Sequence, residues 1–307
     1  MTTPSHVVLG GNGIAGTETI KALLRRGQAV TSVGRRPSTL AGVHSQVADL
    51  RDPAEALDAL AGHSTAYFTV GLPYSARIWA TEWPAILRQV IDAAVQHGTR
   101  LIYLDNVYAY GEVAEPMTER TPLRPSSRKG RIRADAIQAL QQAQDERGLA
   151  FTVARSADFY GPGATTSMVN GFVMNPAAAG RRCTWLLDAG LPHSLTYTPD
   201  IGEALAILGT TAADHGQTWH LPTAPALTGQ EYVELAAGPG ATAKVMSLAT
   251  MRFGALFNAS ARETLELTYQ FEKPYVFDSS RFETVFSMAP TPISEGIAAT
   301  AKAAQPV

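Results

Sequence analysis

The chain has 307 residues, 45% of them hydrophobic, with a formal net charge of −2. That length suits one α/β body or two smaller domains, and the charge supplies no basic field to attract nucleic acid or an anionic membrane. One cysteine, Cys183, excludes an internal disulfide framework and a multi-cysteine zinc site.

In chain order, Val7-Val8-Leu9 is an apolar run that stops at glycines, as a buried parallel strand does. Ile14, Ile20, Leu23 and Leu24 then recur at helical spacing, and Gly27 is a stop. Residues 29–33 and 43–48 read as the second and third strands, and Pro53 opens a helix. Residues 66–70 form the fourth strand, ending at Gly71. Trp79, Trp83, Ile86, Leu87, Val90, Ile91, Ala94 and Val95 share one helix face. Pro84 places the start of that helix shortly before it, with Thr81 as N-cap. Residues 101–104 are the fifth strand, 130–147 a helix and 151–154 the sixth strand. The alternation predicts an α/β fold: a doubly wound parallel sheet of Rossmann type, with helices on both faces. After Gly161-Pro162-Gly163 it weakens, leaving strands near 184–187 and 218–221 and helices over 200–210 and 229–237.

The first strand runs straight into Gly10-Gly11-Asn12-Gly13-Ile14-Ala15-Gly16. In a dinucleotide loop the first glycine permits a tight turn, the middle one admits the pyrophosphate, and the last lets helix and strand pack closely. The helix N-terminus behind them adds partial positive charge and N–H donors. Strand, loop and amphipathic helix in this order make cofactor binding a better account than a bare glycine turn. An NAD site commonly ends its second strand on an acidic residue; here the sequence is Val33-Gly34-Arg35-Arg36. A guanidinium pairs with a 2′-phosphate, so the expected cofactor is NADP(H). Residues 1–163 are then an NADP-binding Rossmann domain. Residues 164–307 are mainly a smaller C-terminal substrate lobe, with some segments returning to the first.

In these motifs the chain resembles the extended short-chain dehydrogenase/reductases, the NAD(P)-dependent epimerase/dehydratase family. Gly10-x-x-Gly13-x-x-Gly16 is similar to that family's cofactor loop, Asp49-Leu50 to its adenine-contacting pair, and Val70-Gly71 to the end of its fourth strand. Tyr110-Gly111, Arg155-Ser-Ala-Asp158-Phe-Tyr160-Gly161-Pro162 and Tyr197-Thr-Pro-Asp200 match later segments, as do Phe277-Asp278 and Pro290 to Gly296. The resemblance implies cofactor contacts at Gly10, Asn12, Gly13, Ile14, Gly16, Asp49, Leu50 and Val70, beside Arg35 and Arg36. It also implies redox or epimerase chemistry on a small-molecule substrate, and a homodimer.

The catalytic residues depart from the family pattern of Ser or Thr followed by Tyr-x-x-x-Lys. Four residues before Tyr110 stands Asn106. An ungapped match from Pro125 puts Lys129-Gly130 at the Tyr-Gly and Arg133 at the lysine, while a shifted match gives Ser127 and Arg131. Neither recovers the pair. Arg133 is then the candidate to hold the nicotinamide ribose, Asn106 to polarise the substrate oxygen, and Lys129, Tyr108 or Tyr110 to handle the proton. Arg124, Arg128, Lys129, Arg131 and Arg133 form a basic cluster: a solvated helix face is the commonest explanation, and the sharper alternative is that one or two of the arginines reach the cofactor or an anionic substrate group. His193 is a weaker candidate for substrate contact, and the aromatic-rich second lobe suggests a substrate less polar than a nucleotide sugar.

The expectation is an atypical NADP-dependent oxidoreductase or epimerase-like enzyme acting on a small carbonyl or hydroxyl compound. The alternatives are a non-redox isomerase, lyase or cyclase using Asp105 or Lys129, and a non-catalytic NADP-binding sensor. The seven histidines show no paired ligand spacing, so no metal is expected. Met1–His6 has no charged or apolar leader character, and no apolar run is of membrane-spanning length. A cytoplasmic protein is expected.

Overall fold

The computed structural model describes residues 5–211 and 216–304. The chain opens with β1 (His6–Leu9), α1 (Ile14–Arg25), β2 (Val30–Gly34), β3 (His44–Val47), α2 (Pro53–Leu60), β4 (Thr65–Phe68), α3 (Ala76–His97) and β5 (Arg100–Asn106). It continues with α4 (Arg128–Arg147), β6 (Phe151–Ser156), β7 (Asp158–Tyr160), α5 (Asn175–Ala178), β8 (Thr184–Leu186), β9 (Pro192–His193) and β10 (Leu195–Tyr197). Then come α6 (Thr198–Thr210), β11 (Thr218–His220), β12 (Leu227–Thr228), α7 (Gly229–Ala237) and β13 (Lys244–Met246). The helices α8 (Leu248–Ala255), α9 (Ala259–Thr264), α10 (Ser280–Phe286) and α11 (Ile293–Ala304) complete it.

Two compact units divide these elements. The first gathers Met1–Ala109, Lys129–Arg155 and Ile201–Trp219; the second gathers Tyr110–Arg128, Ser156–Asp200 and His220–Val307. The first unit is built on the predicted doubly wound sheet, seven strands in the order β11-β6-β5-β4-β1-β2-β3. The pairings from β5 to β3 are parallel, with His6 opposite both Val30 and Thr65. β1, β4 and β5 are apolar because both faces of the sheet are covered; Val7, Leu9, Ala66, Phe68, Leu101 and Tyr103 are all buried. β3, at the edge, is polar and largely exposed, which discourages a further strand from adding there. Strand order reverses between β4 and β1, and ligands of open α/β sheets bind outside the strand ends at such a point.

One helix start differs from the sequence expectation. α3 begins at Ala76, with the Ser75 side chain accepting from Ile78 N, and Pro84 lies well inside it. Thr81 is no N-cap: its hydroxyl donates back to the Arg77 and Ile78 carbonyls. A proline inside a helix costs about 3 kcal/mol. The helix continues through it because the apolar stripe runs on both sides. Trp79, Trp83, Ile86 and Leu87 are buried, and each such side chain contributes about 1.5–3 kcal/mol. Burial outweighs the missing hydrogen bond.

The second unit has three two-stranded pairings, β7 with β10, β8 with β13 and β9 with β12. Its core packs Tyr160, Trp185, Leu195, Tyr232, Phe271 and Ile297. Asp200, in the first turn of α6, accepts from both the backbone N–H and the hydroxyl of Thr291 at 2.7 Å, which fixes the approach to α11. Among the described residues no helix is long and apolar enough to cross a membrane.

Candidate cofactor and catalytic site

The glycine loop lies at the topological switch, between the ends of β1 and β4. Gly10 takes φ +83°, and a Cβ there would sit 2.8 Å from Val70 Cα. A Cβ at Gly16 would overlap the Gly10 carbonyl, and one at Gly11 would overlap the Ser32 hydroxyl. The loop therefore tolerates no side chain at these points, and its backbone passes hard against the fourth-strand end. α1 follows with Gly13 as its N-cap and no side chain capping it. An uncapped helix N-terminus behind exposed glycine backbone fits a pyrophosphate, whose oxygens would accept from the first-turn amides.

Asn12 does something the loop pattern alone does not disclose. Its Nδ2 donates to the Arg36 carbonyl at 2.8 Å and approaches the Pro37 carbonyl at 3.3 Å. It thereby ties the glycine loop to the segment that follows β2. Arg35 and Arg36 are exposed on that segment, and neither forms an ion pair among the described residues. Asp49, at the end of β3, is held by Arg51, whose Nε reaches its two oxygens at 2.8 and 3.0 Å. That guanidinium holds the Asp49 carboxyl below the usual carboxylate range against the opposing effect of burial, and Arg35 adds to it at longer range. Leu50 is buried beside it.

At the end of β5, Asn106 accepts from the Tyr108 backbone N–H at 3.1 Å, which turns the chain and leaves its amide nitrogen as the donor end. Tyr108 is half-buried and stacks on Trp79, with ring centroids 6.4 Å apart. Tyr110 belongs to the second unit. It is buried, with its hydroxyl 2.7 Å from His220 Nε2 and 3.1 Å from the Thr118 carbonyl.

The basic cluster is not one solvated face. Arg124, Arg128 and Arg131 are exposed, whereas Lys129 and Arg133 are buried in the first turns of α4. Lys129 Nζ lies 4.4 Å from the ring centroid of Tyr74, in the loop after β4. Tyr74 is 36% exposed while Lys129 is fully covered. Arg133 turns inward. Its guanidinium lies 4.1 Å over the Trp83 ring, Nη1 donates to Tyr103 Oη at 3.0 Å, and Nε is 3.3 Å from Asp105. That last contact is within ion-pair distance but misaligned for a hydrogen bond. The ribose-holding expectation for Arg133 therefore rests on Nη2. Asp105 also accepts from Arg155 Nε and Nη2 at 3.0 and 2.8 Å, so one buried carboxylate clamps two arginines. Burial pushes the neighbouring Tyr103 phenol up to about 12, keeping it neutral between Trp83 and Arg133.

In the second unit, His193 Nε2 lies 3.0 Å from Asp158 Oδ2, and its ring is stacked between Phe271 and Tyr275. Several aromatics of this unit pack around the pair: Trp185, Tyr232, Phe271 and Tyr275 are buried. Phe253 and Phe257 are exposed. Among the described residues no group of three or more His, Cys, Asp or Glu is placed to hold a metal ion.

Tyr74 and the Asp105 clamp were missed by sequence reasoning. A loop tyrosine carries no periodicity, and only its position four residues past Val70 hints that it borders the site.

The sheet, the uncapped glycine loop and the switch-point position together define a Rossmann-type nucleotide-fold protein. The chain belongs to the NAD dependent epimerase/dehydratase family, whose profile matches residues 6–221. Solved structures of the same fold include the UDP-glucose 4-epimerase of Thermus thermophilus in complex with NAD, at 20% identity over 98% of both chains and TM-score 0.78. The UDP-glucuronic acid 4-epimerase of Bacillus cereus in complex with NAD matches at 15% identity over 98% of both chains, TM-score 0.78. A double mutant of the dTDP-glucose 4,6-dehydratase of Streptomyces venezuelae, with NAD and DAU bound, matches at 16% identity over 97% of this chain and 96% of that one, TM-score 0.77. A search of curated proteins found no match.

Proposed function

We propose that this chain is an NADP(H)-dependent oxidoreductase or epimerase-like enzyme of that family, acting on a small carbonyl or hydroxyl compound. The observation that carries the reading is the glycine loop strapped to a segment bearing two exposed, unpaired arginines and no acid. Gly10, Gly13, Ile14 and Gly16 present backbone to the pyrophosphate. Arg35 and Arg36 would meet the 2′-phosphate, and Asp49, Leu50 and Val70 would border the adenosine and fourth-strand side. NADP(H), when bound, supplies or accepts hydride.

The protein's own part is the proton and the oxygen it belongs to. Lys129, being covered, acts through its exposed neighbour: Tyr74 Oη exchanges the proton, and the ammonium against its ring steadies charge gathering on the phenol. Asn106 Nδ2 donates to the substrate oxygen, and Tyr108 walls the same strand end. Tyr110, held by His220, braces its own unit. Asp105 is committed to two arginines, which favours redox chemistry over an isomerase or lyase that would need it as an acid or base.

The solved relatives are named for nucleotide sugars; the reading here is a smaller and less polar substrate, taken up by the second unit. Incubating the protein with NADPH and a panel of ketones, hydroxy compounds and UDP-sugars tests it. Cofactor consumption with a small ketone is the expected result. Tight NADPH binding with no turnover anywhere would favour the sensor, a reading that the missing Tyr-x-x-x-Lys supports. Product without net cofactor change calls for deuterium at the substrate carbon: washout marks an isomerase or lyase, and retention marks an epimerase that recycles hydride.

A further inference from the structure

We infer that Asn12 is the positioning residue through which this site discriminates between phosphorylated and unphosphorylated dinucleotides. The inference rests on the NADP(H) reading above and assigns the discrimination to a residue that touches neither the 2′-phosphate nor a charged partner. A dinucleotide site has two anion-binding parts, and its selectivity depends on the distance between them. One part here is the glycine backbone with the uncapped end of α1. The other is the exposed Arg35-Arg36 pair on the segment after β2.

A single side chain spans the two. Asn12 sits within the glycine loop, and its amide donates at 2.8 Å to the Arg36 carbonyl and at 3.3 Å to that of Pro37. The end of β2 accommodates this strap: a Cβ at Gly34 would lie 3.4 Å from Asn12 Nδ2, so the amide passes directly over the glycine. The carbonyls it holds flank the backbone of the arginine segment, and the register of those two residues is thereby tied to the glycine loop. The strap is exposed, so losing it deprives no buried group of a partner; its loss loosens the stretch at Arg35-Arg36 rather than unfolding the unit, since Ser38 N still donates to Ser45 Oγ at 2.8 Å further on. A freed segment must be ordered by the ligand at binding, and that cost falls on the ligand that uses the arginines.

The test measures equilibrium binding of 2′,5′-ADP, 5′-AMP, NADPH and NADH to the full chain, for wild type, Asn12→Ala, Arg35→Ala/Arg36→Ala and the triple variant. Wild type is expected to prefer the 2′-phosphorylated member of each pair. Asn12→Ala is expected to reduce that preference about tenfold while changing NADH binding less than about threefold. On the Arg35→Ala/Arg36→Ala background, removing Asn12 is expected to change the preference no further, because the residue acts only through that segment. The inference is overturned if Asn12→Ala weakens both members of each pair equally, which makes Asn12 a pyrophosphate or folding residue. It is overturned equally if the preference persists in Asn12→Ala. A wild type without preference for a 2′-phosphate removes the NADP(H) reading itself, and this inference with it. Asn12→Gln, which keeps the amide donor, should restore part of the preference.

Discussion

Replacing Asp105 by alanine separates a clamp from a catalytic acid. Its carboxylate is buried, accepts twice from Arg155 and stands 3.3 Å from Arg133 Nε. Asp105→Ala leaves two buried guanidiniums without that counter-charge, and breaking a buried pair in this way costs about 3–5 kcal/mol. Unfolding entropy of about 2.1 cal/mol/K per residue gives roughly 0.6 kcal/mol/K for a chain of this length, so Tm should fall by about 5–8 °C. Asp105→Asn keeps the volume and one acceptor oxygen and should lose roughly half as much. Asp105→Ala/Arg133→Met should recover part of the loss, because one uncompensated cation leaves with it. Calorimetry together with urea unfolding of all four proteins measures this. A loss below about 1 kcal/mol in Asp105→Ala would refute the clamp. An Asp105→Asn protein of undiminished stability but no activity would return Asp105 to the acid–base role.

Three further outcomes follow from the geometry. Gly34→Asp has room for its Cβ, 3.4 Å from Asn12 Nδ2 and 3.6 Å from the Arg36 carbonyl. It should weaken NADPH by at least about tenfold and strengthen NADH, as read by cofactor fluorescence; unchanged selectivity would separate the β2 end from the ribose. Tyr74→Phe keeps the ring against Lys129 and should lower turnover about 10²-fold or more with NADPH affinity within about twofold, and Lys129→Met should follow it. Full activity in Tyr74→Phe would pass the proton to Tyr108. Burial holds the His6 imidazole below its ordinary value of 6.5 against the Gln28 hydrogen bond, and burial does the same at His63. A depressed histidine contributes stability fully above about 6.5, and that contribution is lost as pH falls toward the folded value. Urea unfolding between pH 8 and 5 should therefore show stability falling below 6.5, and His6→Gln should flatten that slope by less than about 1.4 kcal/mol per pH unit.

The first unit is largely legible because its signals are local and long. The apolar triplet Val7–Leu9 running into Gly10, and the stripes of α1 and α3, each hold one physical explanation across many residues. The start of α3 escapes the sequence reading because the proline penalty is there given more weight than the burial of Trp79 and Trp83, which the same apolar stripe already contains. The sequence leaves Lys129 and Arg133 divided between a solvated helix face and a place in the site; their burial depends on Tyr74, Trp83 and Asp105, which lie far from them in the chain. The two- and three-residue strands β7, β9, β10 and β12 leave no period to detect. Asn12 stands out by its place in a pattern, but the carbonyls it holds lie 24 and 25 residues away and could not be read from spacing.

The edge strand β11 has a consequence for how the protein is made. It closes the first unit beside β6, where Val153 N donates to the Gln217 carbonyl at 2.9 Å. At a synthesis rate of about 5–20 residues per second, β6 emerges from the ribosome roughly 3–12 s before β11 can cover it. Through that interval the nascent chain shows an open edge on a strand that the finished fold buries throughout, the surface on which misdirected strand pairing begins. Slower translation lengthens the exposure, so yield in the cell should respond to the rate of passage from Asp158 to Thr218 and to chaperone capacity as well as to the stability of the finished fold.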